Sequence, residues 1–425
     1  MPSTSPTRAT RRTTRLTAAV TTAAAALAAA VPLAVVPLAV PAASAAPATA
    51  SQPEDVRFMT YNASLNRSAA GELLEDLGSG DDAQAQAVAE VIQRNRPDVL
   101  LVNEFDYYPG NEAVDLFSEN YLEVPQNGQE PIDYPYVYTA PVNTGVPSGL
   151  DLDNSGTVGG GNDAFGFGLF PGQYGMAVYS KHPIDAAAVR TFQQFLWKDM
   201  PGALLPDDPA TPEPADWYSE EELAAFRLSS KSHWDIPVEI GGTTVHVLAA
   251  HPTPPTFDGA EDRNGTRNHD ETRLWADYVT PGAADYLYDD AGRHGGLKPG
   301  ARFVVMGDYN ADPNDGDSRD ASILQLLGHH RIQDPAPASA GGAEAAQVQG
   351  GANAAHEGDP ALDTADFSDR APGNLRVDYV LPSKNLRVLD SYVYWPAAGE
   401  PGSELTGTYP FPTSDHRPVV LDVRV

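Results

Sequence analysis

Short apolar runs recur along the chain, and most of them stop at or beside a polar residue. Phe58-Met59-Thr60-Tyr61-Asn62 is the first, and Val99-Leu100-Leu101-Val102-Asn103-Glu104 follows. Val245-His246-Val247-Leu248-Ala249-Ala250-His251 and Phe303-Val304-Val305-Met306-Gly307-Asp308-Tyr309-Asn310 repeat the arrangement, and Arg376-Val377-Asp378-Tyr379-Val380-Leu381 precedes a final Ser414-Asp415-His416. A run of this length reads as a buried strand, and a polar residue where the strand stops is aimed from a rigid support. The pattern predicts strands over 55–62, 99–104, 176–180, 234–240, 244–251, 303–309, 377–381 and 419–423. Ala87, Val88, Val91 and Ile92 at helical spacing predict one helix from Gly71 to Arg96, ended by Pro97. Further helices are expected over Glu271–Tyr278 and Ala321–Leu327. Alternation of this kind predicts α/β layering.

Three stretches break the pattern and read as loop insertions. Residues 145–172 are rich in Gly, Asp and Asn, 201–222 in Pro and acid, and 335–369 form an Ala/Gly/acid segment of low complexity for which mobility is expected. With no repeat and no second set of polar strand ends, the part from Val56 to Val425 is expected to be one elaborated domain.

The N-terminus differs from the rest. Arg8, Arg11, Arg12 and Arg15 precede an Ala-rich apolar stretch to about Val40 and then Ala43-Ser44-Ala45. A basic region, an apolar region and a small-x-small site describe a secretory signal peptide over 1–45, with 46–55 as a spacer. An uncleaved membrane anchor is the competing reading, and the Ala-Ser-Ala site and the Pro/Ala-rich spacer speak against it. Export without a single cysteine leaves stability to core burial and bound ions. Taking the four signal arginines from 27 basic residues leaves 23 against 58 acidic ones, a net charge of −35. Non-specific DNA binding draws on Lys and Arg that displace counterions from phosphates. The chain has no Lys/Arg cluster to supply them, and its overall field repels polyanions.

The ordered polar strand ends, with the Gly175-Met176-Ala177-Val178-Tyr179-Ser180-Lys181-His182-Pro183-Ile184 strand, resemble the endonuclease/exonuclease/phosphatase superfamily. That group includes pancreatic-type deoxyribonucleases, abasic-site endonucleases, sphingomyelinases and inositol-polyphosphate phosphatases. The likeness covers nearly everything from Val56 onward. It implies an α/β fold, a four-layer α/β/β/α sandwich of two mixed sheets. It also implies a phosphoric-ester hydrolase dependent on Mg2+ (or Mn2+), which the signal peptide makes a secreted one without stable membrane insertion after cleavage; a monomer is expected. A small phosphate ester is the expected substrate. An extracellular nuclease is the first alternative, and an inactive binding protein of the same fold is the second.

By that resemblance Glu104 is the principal metal ligand, Asp415 a second one, and Asn62 either orients the Glu104 carboxylate or touches phosphate. Asp308 orients or deprotonates the attacking water, and Asn310 contacts the phosphate. Asp308 and Asn310, two apart on an extended chain, are expected on the same side. Asp378 pairs with His416, which donates to the scissile phosphate. His251 matches the histidine of the deoxyribonuclease and sphingomyelinase branches, where it contacts phosphate and protonates the leaving oxygen; abasic-site endonucleases lack it. Asp106 is expected at the surface or rim, and Asp312 with the 314–317 run in a solvated turn. Arg263, Arg267 and His269 are candidates for the rim, while His182, His233, His246, His329 and His330 are expected to be structural or superficial.

Asp151-Leu152-Asp153-Asn154-Ser155-Gly156-Thr157 places oxygen ligands at alternate positions with Gly sixth, like the start of an EF-hand loop. The twelfth position is Asn162, and Asp163 comes one late. Asp151, Asp153, Ser155 and Asp163 therefore hold a structural Ca2+ or form an ordinary Asp/Gly-rich loop. For the N-terminus the expected outcome is cleavage after Ala45. N-terminal sequencing of protein from culture supernatant should begin at Ala46, and full-length chain confined to membranes would refute the signal-peptide reading.

Overall fold

The computed structural model describes residues 53–425. The expected signal peptide, its cleavage point and most of the spacer lie outside the described residues. Thirteen strands are present among them: β1 (Asp55–Asn62), β2 (Val99–Asn103), β3 (Tyr136–Tyr138), β4 (Met176–Ser180), β5 (Arg190–Thr191), β6 (His233–Ile240), β7 (Thr243–Ala250), β8 (Arg302–Asp308), β9 (Ala365–Asp366), β10 (Asn374–Leu375), β11 (Asp378–Pro382), β12 (Arg387–Val393) and β13 (Val419–Arg424). One sheet runs β12-β13-β1-β2-β4-β3 and the other β11-β8-β7-β6-β5, with β9 and β10 paired separately. Both large sheets are mixed, since β1 pairs with β2 and β7 with β8 in parallel while their other neighbours are antiparallel.

Successive residues of a strand face opposite sides, and here both sides are covered. Phe58 and Leu101 from one sheet meet Ile236, Val247 and Val304 from the other in a shared core. The alternate residues Met59, Leu100 and Val102 turn outward onto α1 (Glu72–Ser79), α2 (Ala83–Asn95) and α3 (Glu112–Phe117). On the far face of the second sheet, Leu248, Phe303 and Val305 pack against Leu274 and Trp275 of α5 (Arg263–Val279) and Leu326 of α6 (Leu324–Leu327). Strands buried on both faces explain the near-continuous apolar runs. The four-layer sandwich is thus present. The remaining helices are α4 (Glu220–Leu223), α7 (Ala340–Gln349) and α8 (Ser403–Thr406). No helix among the described residues is long and apolar enough to cross a membrane.

Several expectations need correction. The helix expected over 71–96 is two helices: Gly80 adopts a left-handed conformation, and Asp82 restarts the chain by accepting the Ala85 N–H at 2.8 Å. α5 begins eight residues before the expected Glu271, because its first half buries Arg267, Asn268 and Asp270, not an apolar stripe. The helix expected over 321–327 is only Leu324–Leu327, preceded by a short 3-10 turn. The 335–369 segment contains α7, further 3-10 turns and β9.

Asp312 is buried and accepts the backbone N–H groups of Asn314, Asp315 and Arg376, so it is not part of a solvated turn. Asp106 is also fully buried, not at the rim. One of its oxygens accepts the Arg67 N–H at 2.9 Å and the other the Tyr174 N–H at 3.0 Å. It therefore ties the segment after Asn62 and the segment before β4 to the turn that carries Glu104. Removing it leaves two backbone donors without their acceptor. Asp106→Ala is expected to lower stability by about 1–3 kcal/mol, read as a fall in the urea midpoint at unchanged slope; an unshifted midpoint would contradict this role.

Candidate active site

The polar strand ends lie in two rows, one on each sheet. In the second sheet Asp378 of β11 is paired directly with Asp308 of β8. β7 runs parallel to β8 with Ala249 beside Met306, which carries the next residues, Ala250 and His251, alongside Gly307 and Asp308. Gly307 has φ +146, and a Cβ there would lie 1.9 Å from the Ala250 carbonyl oxygen, so only glycine lets the two strands run this close beside the site. In the first sheet Asn62 of β1 is paired with Asn103 of β2, Glu104 follows in a left-handed conformation at φ 55, and Asp415 and His416 arrive just before β13.

Asp308 joins the rows. Its Oδ2 accepts a hydrogen bond from Asn62 Nδ2 at 3.0 Å and lies 3.3 Å from His251 Nε2 and 3.7 Å from His416 Nε2. Its Oδ1 accepts the Asn310 N–H at 2.8 Å. His416 Nδ1 is 2.8 Å from Asp378 Oδ2. Burial pushes the Asp308 carboxyl up to about 6, against the pull of the neighbouring His416. Burial alone would lower His416, but the Asp378 and Asp308 carboxylates hold its imidazolium well above the usual histidine range. His251 goes the opposite way: burial first, then the charges of Lys231 and His416, drive it well below that range. One imidazole is therefore cationic and the other neutral at neutral pH. His251 Nδ1 and Asp378 Oδ1 are buried without a partner among the described residues.

Two expectations are refined here. Asn62 donates its Nδ2 hydrogen bond to Asp308 and also acts on the Glu104 carboxylate, which in addition accepts from Asn66 Nδ2 at 2.8 Å. Asn310 is not on extended backbone but at φ 51, and its Nδ2 donates to the Pro252 carbonyl at 3.2 Å, across to the end of β7. A divalent cation fits the donor set. Burial raises Glu104, and Asp415 and Asp308 add repulsion against the pull of His416, an excess of negative charge that a cation would offset. Glu104 Oε1 receives no hydrogen bond among the described residues, and half-exposed Asp415 receives only a long one from Ser414 Oγ at 3.5 Å. Asp308, Asp378 and His416 also come within ligating distance of one another, but His416 Nδ1 is already committed to Asp378. That trio is better described as a hydrogen-bonded Asp378–His416 pair with Asp308 as a nearby counter-charge.

Residues that the sequence reading missed hold this arrangement. Thr364, inside the low-complexity segment, donates to Asp378 Oδ2 at 2.9 Å and accepts the Asp378 N–H at 2.9 Å. Arg417 is fully buried; it donates to the Ser414 carbonyl at 2.7 Å and to Asp366 at 3.2 Å, and packs over Trp395. From α5, Asn268 donates to the Thr253 and Tyr309 carbonyls, each at 2.8 Å, and Glu271 accepts the Ser230 and Thr253 N–H groups at 2.6 and 2.7 Å. Arg267 is a brace as well, donating to the Leu228, Phe165 and Arg227 carbonyls. Arg263 and Arg267 both line the cavity, whereas His269 points to Asp270. His233 is buried between Ser229 and the Glu271 carbonyl, a structural residue.

A cavity of 570 Å³ opens from Glu104 and His251, walled by Phe167 of the 145–172 segment, Tyr218 of the 201–222 segment, Lys231 and Phe257. In the Asp151–Asp163 loop three carboxylates converge within ligating distance. Each already accepts backbone N–H groups: Asp151 those of Ser155 and Gly156, Asp153 that of Ser155, and Asp163 those of Leu152, Asp153 and Gly159. Ser155 Oγ donates to Asp151.

No curated protein matches the chain. Among solved structures, an endonuclease/exonuclease/phosphatase from Beutenbergia cavernae is 17% identical with a TM-score of 0.45, over 87% of this chain and 72% of that one. A mannosyl-6-phosphatase from Bacteroides thetaiotaomicron is 12% identical (TM-score 0.43; 87% and 99% covered). A sphingomyelinase C from Streptomyces griseocarneus is 15% identical (TM-score 0.43; 87% and 99% covered). The sequence model of the Endonuclease/Exonuclease/phosphatase family matches residues 59–416. That match runs from the first strand to the closing histidine, and so the chain belongs to the endonuclease/exonuclease/phosphatase family of metal-dependent phosphoric-ester hydrolases.

Proposed function

We propose that the protein is a secreted hydrolase of small phosphate esters that uses Mg2+ or Mn2+. The observation that carries this reading is the buried Asp308, an ionisable base flanked by one cationic and one neutral imidazole, of which the neutral one, His251, also lines the cavity. Above about pH 6 its carboxylate is free to orient a water and take its proton. His416, kept cationic by Asp378, donates to the oxygens on which negative charge gathers. His251 is neutral, so at neutral pH its N–H is a hydrogen-bond donor but not the strong acid that an imidazolium would be. Asn310, fixed by its bond to Pro252, lies beside the same carboxylate. A divalent cation held by Glu104 and Asp415 supplies positive charge to the phosphoryl oxygens.

The net charge of −35 favours a small ester over nucleic acid, and the complete set of polar strand ends favours catalysis over a passive binding role. The test compares kcat/KM for a small aryl phosphate and for plasmid DNA at physiological salt, with Asp308→Asn, His416→Ala and Glu104→Gln alongside. The ester should be preferred. Asp308→Asn and His416→Ala should each lose at least about a hundredfold in kcat while staying folded. The double variant should fall short of the product of the two losses, because the residues act as a unit. Glu104→Gln should recover part of its activity at high Mg2+. A large preference for plasmid DNA would replace this reading with the nuclease one, and near-wild-type kcat in either folded single variant would remove Asp308 and His416 from the chemistry.

The same proposal gives the Asp151–Asp163 loop a structural Ca2+. Calcium should then raise the melting temperature of the wild type through linkage of binding to folding. The Asp151→Ala, Asp153→Ala double variant should respond much less, and equal shifts in both would leave an ordinary Asp-rich loop.

A further inference from the structure

The row of strand ends in the second sheet does not stop at His251. β6 and β7 are antiparallel with His233 opposite Ala250. Continuing that register sets Ser232 beside His251 and brings Lys231 to the next position along the edge of the site. Lys231 lines the cavity together with Glu104 and His251. The residue is only 6% exposed. Its ammonium makes no hydrogen bond and no ion pair among the described residues.

A buried lysine is ordinarily paired, because removing its charge from water without a partner is costly. The obvious structural partner is already taken: both Glu271 oxygens are occupied by the Ser230 and Thr253 N–H groups. Glu104 and Asp308 are near enough for their charges to act on Lys231, but neither touches it. The unanswered charge therefore lies at the cavity it shares with Glu104 and His251, and His251 reaches Asp308 at 3.3 Å. The field of the lysine also helps keep His251 neutral.

We propose that Lys231 is a catalytic residue that contacts a non-bridging phosphoryl oxygen, and that it selects phosphomonoesters over phosphodiesters. This rests on the hydrolase reading above. A monoester at neutral pH carries up to two negative charges on its phosphoryl group and a diester only one. In a site where His416 already answers one charge, a second fixed cation has most to contribute to the doubly charged substrate. An ammonium is a compact point charge with three donors, suited to an oxygen whose charge grows as the P–O bond to the leaving group breaks.

The experiment uses the mature protein with Mg2+ and the Lys231→Met variant, which keeps most of the unbranched stem and removes the ammonium group. No hydrogen bond to the protein is lost, and a buried charge is replaced by an apolar group, so the fold should be at least as stable. Calorimetric binding of inorganic phosphate should weaken by about ten- to a hundredfold. For 4-nitrophenyl phosphate, kcat/KM should fall on the order of a hundredfold. For bis(4-nitrophenyl) phosphate the fall should be less than about tenfold, since one charge fewer depends on the lysine. Equal losses on the two esters, or phosphate affinity unchanged in the variant, would overturn the proposal while leaving the hydrolase reading intact. A wild type that cleaves neither ester yet binds phosphate through Lys231 would overturn the hydrolase reading and keep the anion contact. A wild type that neither cleaves the esters nor binds phosphate would overturn both.

Discussion

Burial of Asp308 is the constraint from which the rest of the site follows. A carboxylate removed from water holds its proton more tightly unless positive charge or hydrogen-bond donors offset the loss of hydration. Here the offset comes from Asn62 across the other sheet, from the Asn310 backbone and from the His416 imidazolium. His416 needs its own counter-charge, and Asp378 supplies it from the neighbouring strand. Asp378 in turn is satisfied on one oxygen by Thr364. Each group is tolerable in the interior only because the next one is present. Removing any one of them leaves a buried charge or donor without its partner, so the site is expected to behave as a unit.

Such a chain of dependence requires fixed distances, and the fold supplies them from two directions. The sheets set the spacing between Asp378, Asp308 and His251 through backbone register, which a side-chain rotation cannot alter. Helix α5 then locks the strand ends: Asn268 bridges the exits of β7 and β8, and Glu271 gathers the backbone before β6 and after β7. The polar first half of that helix is therefore buried for a purpose, and it contributes hydrogen bonds where an ordinary helix would contribute apolar area. On the other sheet, Arg417 and Asp366 hold the loop that delivers Asp415 and His416.

The charge distribution has two scales. Over the whole chain acid prevails, and the far field repels polyanions. At the site, His416 faces the Asp308 carboxylate, and Lys231 and Arg263 line the cavity together with Glu104. Burial strengthens those local interactions because the interior screens them weakly. Phe167 and Phe257, 56% and 85% exposed, stand at the mouth of the same cavity. The proposed small-ester substrate is consistent with both scales.

Much of this was legible in the sequence. Strands covered on both faces must be apolar along their length, so runs such as Val99–Val102 and Phe303–Met306 declared themselves, and the polar residues that stop them declared the site. What the sequence could not show was contact across great separations. Asn62 and Asp308 are 246 residues apart, and only the face-to-face packing of two sheets decides that Asn62 serves Asp308 and that Asn66 joins at Glu104. The first half of α5 was hidden because its buried face is polar, and Thr364 because it lies in a segment of low complexity. Asp106 and Asp312 read as surface acids because nothing local reveals that backbone N–H groups from distant segments converge on them. Lys231 is the clearest case. Alone between two serines it carries no pattern, and its position beside His251 exists only once β6 and β7 have paired in register. Periodicity along a chain reports what each element buries, whereas the partners of a buried polar group are fixed by tertiary structure.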